Sequence, residues 1–147
     1  MKPNILYHGT SKKIKGKFLI PNKPQDLDMP IEKIKKGVYA TDIKNNAIAM
    51  AIISSKGVIS GSLNFKKNKK AIIYEGWPRQ KYVYLYGFLS KGFIKDSKKS
   101  SEWISQNKVK IINLKKLKIK NYLNLVRKAT DEEIKRFFKK HNIKKLK

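Results

Sequence analysis

Cysteine is absent from this 147-residue chain, which excludes disulfides, thiolate metal sites and cysteine nucleophiles and leaves the redox compartment unread. Histidine is nearly absent, at His8 and His141, which argues against a histidine-rich metal cage, and no metal is expected. Acids are scarce: 10 Asp and Glu face 36 Lys and Arg, a net charge of +26. Arginine is scarce too, limited to Arg79, Arg127 and Arg136, so the forked, bidentate reader of guanine gives way to lysine point charges. The longest apolar run, Ala47 to Ile53, is far shorter than the roughly 20 residues of a membrane span. Met1-Lys2-Pro3-Asn4 carries no signal-peptide core, and the expectation is a soluble, cytoplasmic chain with no membrane partner. There is no internal repeat, no Walker-type loop, no Gly-x-Gly-x-x-Gly, no Gly-x-Ser-x-Gly and no His-Glu-x-x-His, so many enzyme classes drop out.

The length fits one domain, and an apolar content of 40% is enough for a modest single core. The charge has two readings. Lysine abundant together with Ile and Asn is what AT-rich codons produce without any selection for nucleic acid. Yet residues 108–147 hold 15 Lys or Arg against Asp131, Glu132 and Glu133, or +12, and a surface of that density attracts phosphate backbones by counterion release. DNA, RNA or a nucleoprotein is the partner class that this basic third suggests.

Along the chain, Asn4 to His8 reads as a strand closed by a turn at Gly9-Thr10-Ser11, and Lys17 to Ile20 as a second strand. Pro21 to about Lys36 is a long polar loop of the kind that often serves as a lid. Gly37 to Thr41 is a third strand, and Thr41 or Asp42 caps a helix from Ile43 to about Ser54 whose small apolar body suits close packing on a sheet. Ile59 to Phe65, Ala71 to Tyr74 and Lys81 to Phe88 are further strands, the tyrosines of the last fitting sheet packing better than base stacking, with Trp77-Pro78 at a turn. Glu102 to Ser105 and Lys108 to Leu117 continue the strands. From Asn121 the period turns helical, and Thr130-Asp131-Glu132-Glu133 forms a capping box before Ile134, Phe137 and Phe138. The order predicts an α+β domain with a mainly antiparallel sheet, a core over about 4–118 and a basic helical tail over about 119–147.

Three segments carry chemically useful side chains on strands: Tyr7-His8-Gly9-Thr10, Gly37-Val38-Tyr39-Ala40-Thr41 and Ser100-Ser101-Glu102-Trp103-Ile104. Taken singly, His8 reads as a hydrogen-bonded structural residue, Tyr39 as core, and Glu102 as a surface counter-charge. In this order, with a small-residue helix after the second, they resemble the ADP-ribosyltransferase superfamily of the diphtheria-toxin and poly(ADP-ribose) polymerase type, over about residues 4–105. That resemblance implies a split antiparallel sheet and transfer of ADP-ribose from NAD, here as a substrate, to a macromolecular acceptor, as in small toxin or phage enzymes. It implies that His8 donates a hydrogen bond to the adenosine-side ribose and that the Gly9 backbone pairs with the nicotinamide carboxamide. Thr10 supports the neighbouring ribose, Tyr39 stacks on the nicotinamide ring, and Glu102 stabilises charge at the anomeric carbon. Glu75 competes with Glu102 for the acidic role, but it stands beside a Gly-Trp-Pro turn. Relatives often close the nicotinamide sandwich with a second aromatic at the end of the helix. Here Met50, or a residue of the 21–36 loop, takes that place. An RNA 2′-phosphotransferase-like relative would need more arginines than the chain has. The reading from a different class is a non-catalytic, basic nucleic-acid-binding protein, in which the same sheet is a scaffold.

Overall fold

The computed structural model of the chain describes residues 2–22, 36–63, 70–95 and 101–140. Most of the proline-marked loop, Phe65, Ser100 and residues 141–147 lie outside them. The described strands are β1 (Ile5–Thr10), β2 (Phe18–Leu19), β3 (Val38–Thr41), β4 (Val58–Ser62), β5 (Ala71–Gly76), β6 (Tyr82–Leu89), β7 (Ile94–Lys95), β8 (Glu102–Ser105), β9 (Val109–Lys110), β10 (Asn113–Lys118) and β11 (Val126–Lys128). Two α-helices, α1 (Lys44–Ile53) and α2 (Asp131–Lys140), and a 3-10 helix over Ile119–Leu125 complete the α+β architecture. A six-stranded sheet of order β10-β6-β1-β3-β8-β7 is antiparallel at every pair. A second sheet, β11-β5-β4, has one parallel pair, and β2 and β9 form a short antiparallel ribbon.

The apolar body of α1 explains how the layers assemble. A helix that is apolar nearly all round must be covered on more than one side. Ala47, Ile48, Ala51 and Ile52 are buried in one cluster with Val83 and Leu85 of the large sheet, Ala71 and Ile73 of the small sheet, and Ile119 and Val126 beyond them. The opposite face of the large sheet supports a second cluster of Leu6, Val38, Ala40, Tyr86, Phe88, Phe93 and Trp103, covered by Leu19. Strand β6 divides its side chains between the two: Val83 and Leu85 face α1, while Tyr86 and Phe88 face away, as the two-residue period of a strand requires. The tyrosines of this strand are therefore largely packing residues, with Tyr86 buried and Tyr84 against the second cluster.

Three expectations from sequence are corrected. Gly9 and Thr10 belong to β1 and pair with Leu85 and Tyr84 rather than forming a turn. The apolar alternation over 108–117 is two strands: β9 pairs with β2, β10 pairs with β6, and the chain changes sheets at Ile111 and Ile112. The helical period from Asn121 is realised as the 3-10 helix followed by strand β11, which lies parallel to β5. Tertiary partners decide this: the Ile119 N–H bonds the Lys81 carbonyl at 3.0 Å, and Ile119 and Val126 enter the α1 cluster. The core consequently extends past residue 118, and the basic segment is built into the fold rather than appended to it.

The capping box at the start of α2 is present. Thr130 Oγ1 accepts from the Glu133 N–H at 3.2 Å, and Glu133 Oε1 accepts from the Thr130 N–H at 3.0 Å. Arg127 adds a two-pronged ion pair to the same carboxylate at 2.7 and 2.8 Å, and these donors hold the Glu133 carboxyl down at about 2. The aromatic face of the helix closes on β5, where Phe137 stacks on Tyr74 with ring centres 4.1 Å apart. Among the described residues no helix is long and apolar enough to cross a membrane.

Candidate active site

His8, Gly9, Tyr39 and Glu102 lie on three adjacent strands, β1, β3 and β8, in the middle of the large sheet. Tyr7 stands opposite Thr41, and Thr41 opposite Glu102, so these three form one row across the sheet. Tyr7 packs against the α1 cluster, which assigns the row, and with it Gly9 and Tyr39, to the α1 side. Tyr39 and Glu102 are diagonal neighbours on that face, with backbones about 7–8 Å apart, a gap that the two side chains can close. Strand alternation puts His8 on the other face, beside Tyr86, its partner in register. The structure thus groups Tyr39 with Glu102 and holds His8 across the thickness of the sheet.

The seam between β1 and β3 links the two sides. The Asn4 carbonyl accepts from the Ser90 N–H at 3.0 Å, so Asn4, and by alternation Leu6 and His8, direct their peptide groups toward β6. Tyr7 and Gly9 direct theirs toward β3. The ladder on that side is confined to Tyr7 opposite Thr41. One step further, where Gly9 would exchange bonds with Tyr39, His8 Nδ1 instead meets the Tyr39 carbonyl oxygen at 2.7 Å. The imidazole thus takes a carbonyl where the ladder would continue, and by alternation the peptide group of Gly9 is directed toward β3.

A carbonyl only accepts, so Nδ1 carries the proton and Nε2 of the neutral ring is an acceptor. The ring offers an acceptor to any ligand hydroxyl, whereas a donor was expected from the sequence. Burial is the main influence on His8 and lowers its pKa below the ordinary 6.5, with the Tyr39 carbonyl pulling the other way. Because the folded value lies below the unfolded one, the neutral ring contributes stability that is fully present above pH 6.5 and is lost as the pH falls through the lowered value. The wild-type melting temperature is therefore expected to drop as the pH goes from about 7.5 to about 5 by more than that of His8→Asn, whose side-chain amide keeps the bond to Tyr39 without titrating. Parallel pH profiles for the two proteins would contradict a half-buried His8 held neutral by its surroundings.

Gly9 has a clear steric reason. A Cβ there would overlap the Ala47 carbonyl oxygen and approach Ala51 Cβ to 3.0 Å, so the missing side chain admits α1 rather than a ligand. Beside Glu102, a polar cluster anchors the start of the same helix. Ser101 Oγ accepts from Thr41 Oγ1 at 3.2 Å and from Asn46 Nδ2 at 3.3 Å, and Thr41 Oγ1 accepts the Ile43 N–H at 3.1 Å. All three side chains are buried. The expectation that Thr41 or Asp42 caps the helix is corrected: the N-cap position is Ile43, which makes no side-chain cap bond, and Thr41 bonds the Ile43 N–H from two residues before it. Ser101 was anticipated as a neighbour of Glu102, but Asn46 was missed. Its signal was an amide directly before the apolar body of the helix, a residue that is buried only when its hydrogen bonds are met.

Of the other predicted residues, Thr10 accepts from the Lys12 N–H at 3.3 Å and ends β1, while Met50 is half-buried on α1. Glu75 lies on β5 in the small sheet, opposite Ser60, so it shares no sheet with His8 and Tyr39. On the His8 face, an open cleft of about 610 Å³ is bordered by Lys13, Gly16, Lys17, Tyr86 and Leu114, and the Tyr86 hydroxyl anchors its loop by accepting the Ile14 N–H at 2.7 Å. No family model, curated protein or solved structure matches the chain.

Proposed function

We propose that the protein is an NAD-dependent mono-ADP-ribosyltransferase that cleaves the nicotinamide–ribose bond and passes ADP-ribose to a macromolecular acceptor. The observation that supports this reading is the short β1–β3 ladder, where His8 bonds the Tyr39 carbonyl, the Gly9 peptide is directed toward β3, and Tyr39 and Glu102 are diagonal neighbours on the next two strands. A carboxamide has one N–H face and one C=O face, the complement of what the N–H and C=O of one strand residue present. Tyr39 then supplies a ring for the nicotinamide. His8 Nε2 accepts from a ribose hydroxyl on the other side of the sheet, where the lysine-bordered cleft suits the phosphates.

The chemistry needs no covalent enzyme intermediate. The bond between the ribose anomeric carbon and the pyridinium nitrogen breaks, its electron pair leaves with nicotinamide, and the ribose becomes an oxocarbenium ion. Glu102 accepts a hydrogen bond from the 2′-hydroxyl of that ribose and its negative charge stabilises the cation. An acceptor nucleophile adds to the anomeric carbon and gives up its proton. Without an acceptor, water takes this place and free ADP-ribose results. The phosphotransferase-like alternative is less well supported, because Arg127 is engaged by Glu133 and Arg136 projects from α2.

Incubation with NAD labelled in both halves, with and without DNA, RNA and cell lysate, tests the reading. Nicotinamide release and transfer of the adenylate label are expected together. A protein that turns over no NAD under any of these conditions, while retaining salt-sensitive affinity for nucleic acid, would instead be the basic binding module.

A further inference from the structure

A second cleft lies at the end of the sheet where β1 finishes, with a volume of about 280 Å³. Its floor is apolar, built from Trp77, Ile119 and Leu123, and its rim carries Lys81, Lys118 and Lys120, with no acidic side chain among the lining residues. Trp77 is 36% exposed, a large aromatic surface that a folded domain usually covers. Lys128 Nζ stands 5.4 Å from the centre of its ring and adds a further cation beside the exposed part of the indole. Lys81 and Lys116 also converge on the neighbouring Tyr82 ring, at 5.5 and 4.2 Å.

The backbone holds this arrangement in place. Gly76 has φ +86°, and a Cβ on it would overlap the Gly57 carbonyl oxygen, which accepts the Trp77 N–H at 3.0 Å. Gln80 ties the same loop down in three directions. Its Nε2 donates to the Ser11 carbonyl at 2.8 Å and the Tyr82 carbonyl at 2.6 Å, and its Oε1 accepts the Lys56 N–H at 2.8 Å. Trp77 is thus presented from a braced loop, next to a 3-10 helix whose Ile119 is fixed in the core.

Like charges gathered round an exposed ring attract an anion, and the ring adds a surface on which a flat group of that anion can stack. From this we infer that the Trp77 cleft is a binding site for single-stranded nucleic acid. A base stacks on Trp77, and the adjoining phosphates are neutralised by Lys81, Lys118 and Lys120. Duplex fits less well, because its bases are already stacked on one another and only phosphates remain to be met. The inference stands apart from the transferase reading: a strand can bind here whether or not NAD is cleaved.

Fluorescence anisotropy of the full chain with a labelled oligo(dT), oligo(rU) or duplex of about 20 nucleotides, over a salt series, tests it. Either single strand is expected to bind more tightly than duplex. Trp77→Ala should weaken single-strand binding by about tenfold or more with an unchanged salt slope, and Trp77→Phe should restore part of it. Lys118→Gln and Lys120→Gln should each flatten the slope of log affinity against log salt by about 0.7. Trp77 and both lysines lie at the surface end of the sheet, and thermal melts of the variants confirm folding. The site is refuted if Trp77→Ala binds like wild type, or if duplex competes as well as single strand. It is refuted equally if Lys110→Gln and Lys115→Gln, exposed elsewhere, weaken binding as much as the cleft lysines, since diffuse charge would then suffice. Relative affinity for oligo(dT) and oligo(rU) separates DNA from RNA as the source.

Discussion

Glu102→Gln is expected to reduce nicotinamide release from NAD by about a hundred- to a thousandfold while leaving the melting temperature within a few degrees of wild type. The amide keeps the size and planarity of the carboxylate but removes the negative charge that would face the oxocarbenium ion. Glu102 opens β8 in register with Thr41, one diagonal step from Tyr39 and next to Ser101, so its backbone is held by the sheet, and the isosteric amide leaves that pairing in place. A loss of activity with an intact fold is therefore chemical in origin. Glu75→Gln supplies the comparison: on β5 it shares a sheet with β4 and β11, away from Tyr39, and its loss should change the rate by less than about twofold. Nicotinamide release measured on matched amounts of the three proteins decides the assignment. Full activity in Glu102→Gln would remove Glu102 from the mechanism, and loss in Glu75→Gln instead would transfer the role.

Gly9→Ala carries the largest expected effect on stability. The added methyl has the Ala47 carbonyl oxygen in its path and Ala51 beyond it, and both belong to the backbone or first carbon of a helix buried on several sides. Neither neighbour can rotate away, so α1 must move off β1 as a body, and it is coupled to both sheets. A cost of about 3 kcal/mol is expected, at the upper end for an overpacked core, which for a chain of this size lowers the melting temperature by about 6–12 °C. Thermal unfolding followed by circular dichroism measures it. An unchanged melting temperature would mean that α1 does not sit against Gly9 as closely as described. Because the substitution disturbs the helix as well as the seam, lost activity in this variant alone would not assign the Gly9 peptide a role in NAD binding.

Much of the local structure was readable because local rules decided it. The capping box at Thr130 and Glu133 is a four-residue pattern whose bonds are made within the pattern, and it forms as written. The small apolar body of α1 announced a buried helix, since no arrangement lets such a face meet water on most sides. Tyr84 and Tyr86 of β6 pack on the second cluster as read, whereas Tyr82 carries two lysines over its ring. What failed was set by distant partners. Whether Val109 to Leu117 made one strand or two depended on β2 and β6 standing at different places, and whether Asn121 to Val126 became an α-helix depended on Lys81 and β5.

The candidate site divides along the same line. His8, Gly9, Tyr39 and Glu102 could be chosen from the sequence because their three segments resemble those of the ADP-ribosyltransferase superfamily, and because acids are so few that Glu102 had one main competitor, Glu75. Their relation could not. That His8 would enter the ladder and take the Tyr39 carbonyl, and that Gly9 would yield to a helix, are consequences of strand register and of how closely α1 lies on β1. Trp77 is the clearest instance: beside a proline it read as an ordinary turn residue, and while Lys81 is close in sequence, Lys118 and Lys120 of its cleft come from a segment about 40 positions away along the chain. By itself the sequence determined the charge, the element types with strong local signals and the shortlist of reactive groups, because these follow from composition and from neighbours a few residues apart. Tertiary structure alone decided which of those groups share a face, a seam or a cleft, because that depends on pairings between strands that the chain order leaves open.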